Sequence, residues 1–174
     1  MRIAAPSARR LSRCLWLVAL LAFGAAADER ALKLANGAEI RYLVIAPGSP
    51  GSARAAADRM LSLLAEGKID DAAALSNAPQ RRAQVLRQYE EAVGEAEFRR
   101  IFGLYGKPPN RLVAEIVIGE RHLLIWDLAD ANHRLAGQYF QRAGGDFVLD
   151  DGVSEDRARL QRVLAAYRDG RIKP

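Results

Sequence analysis

The sequence predicts an α+β domain, with N-terminal helices packed on a curved antiparallel sheet and a C-terminal helix closing the chain. Three observations predict it. Between positions 54 and 104 apolar residues recur at spacings of three and four, the period of a helix buried along one stripe. Between 111 and 149 the runs are short, rich in β-branched and aromatic residues, and joined by glycine-bearing turns. From position 155 the helical spacing returns. Helices, a meander, then a helix is the α+β layout.

Residues 28–39 are mixed in character and are expected to be loosely ordered. Ile40-Arg-Tyr-Leu-Val-Ile-Ala46 reads as a strand, and Pro47-Gly-Ser-Pro-Gly-Ser52 forbids regular structure and marks a linker. Residues 54–66 place Ala57, Met60, Leu61 and Leu64 on one stripe, and Gly67 stops that helix. A short helix begins near Asp70 or Asp71 and runs to Leu75. Ser76 or Asn77 caps a longer one, with Pro79 in its first turn and Gly94 able to bend or break it before Leu104. Arg111–Ile118 and Arg121–Leu128 form a hairpin through Gly119-Glu120, a type II′ signal. Arg134–Arg142 and Phe147–Leu149 flank a second hairpin turn at Ala143-Gly-Gly-Asp146. Ser154 caps a helix from Glu155 to about Tyr167.

The first 27 residues read as a secretory signal peptide. Arg2, Arg9, Arg10 and Arg13 precede an apolar run from Leu15 to Phe23, and Ala25-Ala-Ala27 supplies small residues for cleavage. The run is too short to span a bilayer, which takes about 20 apolar residues. Export to a bacterial periplasm or beyond is therefore expected, with cleavage near Ala27 and no stable membrane anchor afterwards. The expected organisation is a leader at 1–27, a strand and Pro/Gly/Ser linker at 28–53, and one α+β domain at 54–170.

The leader distorts the raw composition. The chain carries 26 basic and 21 acidic residues, a net of +5, but four of the basic residues lie in the leader and none of the acids does. The remainder is nearly neutral, so no basic field exists to drive nucleic-acid binding. The single cysteine, Cys14, also lies in the leader. The mature chain has neither disulfide staples nor a thiol nucleophile and rests on its hydrophobic core. About 147 residues suffice for one such core.

The helical joint Leu63-Leu-Ala-Glu-Gly67-Lys-Ile-Asp70, leading into a curved antiparallel sheet, resembles the NTF2-like (cystatin-like) α+β superfamily over about residues 54–169. The chain departs from that pattern in placing a strand before the first helix and in a sheet that reads one or two strands short. The resemblance implies the fold; its members include isomerases, dehydratases, secretion-system components and ligand-binding modules, so it implies no single activity.

Candidate chemistry sits on the first hairpin. With the turn at Gly119-Glu120, one face holds Leu112, Ala114, Ile116, Ile118, Leu123, Ile125 and Asp127, and is expected to lie on the helical first half. The other holds Val113, Glu115, Val117, His122, Leu124 and Trp126. Glu115 is diagonal to His122, at about 7–8 Å between backbone positions, a gap long side chains bridge. Two readings of this face stand. Glu115 and His122 are a candidate acid–base pair at a cavity mouth walled by Trp126, or they are an ordinary cross-strand pair. Val113, Val117, Leu124 and Trp126 are the expected ligand or self-association patch, through which a homodimer would form.

Other searches are negative. No phosphate loop, dinucleotide-binding glycine pattern or nucleophile elbow occurs. Asp127, Asp130 and His133 match no zinc spacing, so no metal and no cofactor are expected. Arg81-Arg82, Arg99-Arg100 and the arginines of the last helix read as helix ion pairs. The chain therefore reads as a non-catalytic binding or interaction module with an unidentified small ligand or envelope protein as partner. A small isomerase or hydrolase built on Glu115 and His122, or an envelope-assembly component, is the alternative.

Overall fold

The computed structural model describes residues 27–129 and 134–173. Residues 1–26 of the expected leader and the loop residues Asp130 and His133 lie outside the described residues. Six strands form one antiparallel sheet in the order of the chain: β1 (Asp28–Lys33), β2 (Glu39–Ile45), β3 (Arg111–Ile118), β4 (Arg121–Leu128), β5 (Arg134–Ala143) and β6 (Asp146–Leu149). Four helices, α1 (Arg54–Ala65), α2 (Ile69–Ala74), α3 (Pro79–Val93) and α4 (Glu95–Leu104), intervene between β2 and β3. The fifth, α5 (Glu155–Arg168), comes after the sheet. The architecture is α+β.

Helix α1 buries the four residues its spacing selects, Ala57, Met60, Leu61 and Leu64. Gly94 separates α3 from α4 at φ +86°, a conformation that costs glycine little and interrupts the helical dihedrals. Ser154 caps α5, its side chain accepting from the Arg157 amide at 3.1 Å. Residues 28–39 do not form the loosely ordered segment expected of them. Asp28–Lys33 pairs residue by residue with β2, and Leu32 with Ile40 enters the core. Most of β1 is polar and exposed, so this half-buried edge strand had too weak an apolar signal to read.

Both faces of the sheet are covered. Leu124, Trp126, Phe140 and Leu149 pack against α1–α4. Ala114, Ile116, Leu123 and Ile125 pack against Leu160, Val163 and Leu164 of α5, with Ile40 and Tyr42 of β2 beside them. This corrects the facial assignment: the almost wholly apolar face meets α5, and the mixed face carrying Glu115, His122 and Trp126 lies beneath the helical first half. A face crossed by four helices buries its polar residues along with its apolar ones.

A second correction concerns register. Pairing keeps the expected alternation from Ala114–Ile125 to Ile118–Arg121, then shifts by one between Leu112 and Ala114. Val113 is the extra residue of a β-bulge, which reverses the faces beyond it. Leu112 therefore joins the α1–α4 side and Val113 the α5 side.

Gly137 on β5 has a packing role. A Cβ there would stand 2.6 Å from Leu164 Cδ2 and 3.0 Å from Leu123 Cδ1, so the bare backbone lets α5 approach the sheet. On the other side an aromatic chain runs from helix to sheet: Phe98–Phe102 (4.8 Å between centroids), Phe102–Tyr105 (6.2 Å) and Tyr105–Trp126 (5.6 Å). Such pairs add about 0.5–1.5 kcal/mol each beyond the area they bury.

Candidate functional site

Glu115 and His122 are brought together on the helix-facing side of β3 and β4. His122 Nδ1 lies 2.8 Å from Glu115 Oε1. A carboxylate oxygen accepts, so the ring nitrogen facing it is the donor. The same Oε1 accepts from the Ala53 amide at 2.8 Å, and Oε2 accepts from the Ser52 hydroxyl. Ser52 Oγ in turn accepts from the Gly48 and Arg54 amides, at 3.0 and 3.1 Å. Glu115 has no exposed surface and His122 is only 4% exposed.

The carboxylate thus sits at the start of α1, where free amides and the helix dipole favour a negative group. It fastens the 46–53 connection and the first turn of α1 to the sheet. His122 completes the arrangement, its ring edge-on to Phe147 with centroids 4.6 Å apart. The pair is not at the mouth of a cavity walled by Trp126. Trp126 is fully buried, donates Nε1–H to Gln138 Oε1 at 2.9 Å, and carries the Arg54 guanidinium 5.1 Å from its ring centre. Leu124 is likewise fully buried, so Leu124 and Trp126 are core residues and not a self-association patch. Val113 and Val117 are half-buried, and Val113, the bulged residue, turns to the α5 side.

Two hollows adjoin the buried pair, separated by the loop between β2 and α1. A shallow one of about 290 Å³ is lined by Leu43, Ile45, Gly51, Val117, His122 and Arg142. The larger is a cleft of about 660 Å³ between α1 and α2 on one side and β5 and β6 on the other. Ala55, Ala56, Leu75, Phe140 and Phe147 give it apolar walls; Arg59, Arg142 and Asp146 give it charge. Arg142 is held over Phe147 at 5.1 Å and donates to the Gly51 carbonyl at 3.3 Å, so it borders both hollows.

A third cluster is structural. Buried Asp150 accepts from Asn77 Nδ2 and the Gly152 amide, each at 3.0 Å, and from Arg121 Nε at 3.0 Å. Asp151 accepts from Ser76 Oγ at 2.6 Å and from Arg82 Nε at 2.8 Å. Both carboxylates are consumed in tying α3, β4 and the end of β6 together.

Sequence reasoning missed the cleft residues and the Asp150 cluster. Arg59 is an exposed helix arginine among many, and Asp150-Asp151-Gly152 has the composition of a turn. One usable signal was present: two adjacent acids, Asp150-Asp151, directly after an apolar strand. Among the described residues no group of three or more His, Cys, Asp or Glu side chains is placed to hold a metal, and no helix is long and apolar enough to cross a membrane. Comparison of the chain with protein-family models, with curated proteins and with solved structures returned no match.

Proposed function

We propose that the chain is an exported, non-catalytic binding module that receives its ligand in the cleft between α1–α2 and β5–β6. One observation carries the reading. The Glu115 carboxylate spends its oxygens on Ser52, Ala53 and His122 in a buried site, while the neighbouring cleft stands open at a size usual for small-molecule sites, about 300–1,000 Å³. A pair so deeply buried gives a substrate little access; a half-apolar cleft with a few charged groups is a good receptor.

Export is part of the proposal. It rests on the basic leader, the apolar run and the Ala25-Ala-Ala27 site. Kinship with NTF2-like proteins also belongs here. Its support is the helix-then-sheet order, and β1 and β2 supply the strands that the second half alone lacks. The covering of both sheet faces by helices is a feature the resemblance did not imply.

The second reading, a small isomerase or hydrolase, is favoured by one fact: the His122 ring lines the 290 Å³ hollow. Amide chemical-shift mapping of the ¹⁵N-labelled protein against a library of small organic acids, alcohols and amines separates the two. The binding reading expects hits to move Ala55, Ala56, Leu75, Phe147 and Val148. Hits confined to Leu43, Ile45, Val117 and Gly119 would move the function to the His122 hollow, and a silent library would remove the binding reading.

A further inference from the structure

We propose that the cleft selects an organic monoanion with a flat apolar body, its charge received by Arg59 and Arg142. This rests on the binding-module reading and adds the chemistry of the ligand.

Most other arginines around the helical layer are already engaged. Arg54 pairs with Asp58 at 2.8 Å, Arg99 with Glu95, Arg100 with Glu97 at 2.6 Å, and Arg82 and Arg87 with Asp151 and Asp70. The Arg59 guanidinium, one helical turn on from Ala55 and Ala56, has no ion pair or hydrogen bond among the described residues, and it lines the cleft. Arg142 faces the cleft from β5. Its closest carboxylate, Glu120, is 3.8 Å away, and its remaining contacts are a carbonyl at 3.3 Å and the Phe147 ring. Its guanidinium is therefore oriented but not neutralised by a close bidentate partner.

The charged groups lining the cleft are then two guanidinium groups and one carboxylate, the exposed Asp146 at the start of β6, with Glu120 outside the lining and 3.8 Å from Arg142. A cationic ligand meets net repulsion. A polyanion meets Asp146 with only two guanidinium groups to offset its charge. A single carboxylate or sulfonate matches the planar donor fork of arginine, which binds such groups through paired hydrogen bonds. The walls decide the rest of the ligand. Phe147, Leu75 and the alanines of α1 offer apolar surface, with buried Phe140 behind them, and there are few further polar partners. An aromatic body would meet Phe147 in an offset or edge-on arrangement, which aromatic pairs prefer.

Calorimetric titration of the full-length protein with 1-naphthoate, 1-naphthalenemethanol and 1-naphthylmethylammonium tests this, since the ring is constant and the one-carbon head group runs from anion through neutral to cation. Naphthoate is expected to bind about tenfold tighter than the alcohol, and the ammonium compound weakest. Arg59→Gln and Arg142→Gln should each weaken naphthoate by about threefold to tenfold. Ala55→Trp, which fills the cleft from an exposed position, should abolish binding, and Arg81→Gln on α3 should leave it unchanged. If Ala55→Trp fails to fold by its melting profile, the two arginine variants carry the test. Alcohol or ammonium binding as tight as naphthoate, still blocked by Ala55→Trp, would overturn the anion assignment while sparing the cleft as a receptor. No binding by any of the three probes would overturn the assignment, and with a silent library it would take the receptor reading with it.

Discussion

Tyr167 of α5 shows what burial does to one side chain. Its hydroxyl is buried without a hydrogen-bond partner among the described residues, and burial pushes the phenol above its ordinary value. The same cause raises Tyr42, Tyr105 and Tyr139. Folding thus favours the protonated phenol. The stability so held is fully present below the unfolded value of about 10 and is lost as pH rises from there through the folded value. Tyr167→Phe keeps the ring and removes the titration. Urea unfolding should place this variant within about 1 kcal/mol of the native chain at neutral pH. Between about pH 10 and 11 its stability should fall less steeply than the native protein's. An equally steep fall would show that Tyr167 does not contribute to the alkaline loss.

Glu115 acts between elements, where β3 meets the start of α1. Replacing it by alanine strands the Ala53 amide, the Ser52 hydroxyl and the His122 ring in a buried site. Glu115→Ala is therefore expected to cost about 2–4 kcal/mol, read from the shift in denaturant midpoint, with faster amide exchange in residues 48–56. A cost under about 0.5 kcal/mol would mean the seam is not held there. Much of this scale was legible in the sequence. Spacing alone named the buried stripe of α1, Gly94 marked the break between α3 and α4, and alternation placed Glu115 beside His122. The misreadings have separate causes. A bulge at Val113 leaves no compositional mark, yet it reverses every face beyond it. A strand whose polar side is exposed, such as β1, looks like a loop. That both sheet faces are covered is a matter of tertiary packing, since α5 and α1–α4 each need an apolar sheet face and the sequence does not say which helix takes which.

At the scale of the whole molecule, the proposed function rests on what the packing leaves open. Arg59 and Arg142 come from elements far apart in the chain, and neither stands out among 26 basic residues until the fold sets them on one cleft. The Glu115–His122 pair was legible for the opposite reason, being adjacent in one hairpin, but adjacency gave no measure of its burial. The central claim is that the molecule meets its ligand in the cleft between α1–α2 and β5–β6 and not at His122. Steric blocking of each hollow in turn tests it most directly, by measuring the affinity of the strongest library ligand for the native protein, Ala55→Trp and Val117→Trp. The cleft account predicts that Ala55→Trp abolishes binding while Val117→Trp leaves the dissociation constant within about twofold, or roughly 0.4 kcal/mol. Binding lost in Val117→Trp and retained in Ala55→Trp would contradict it.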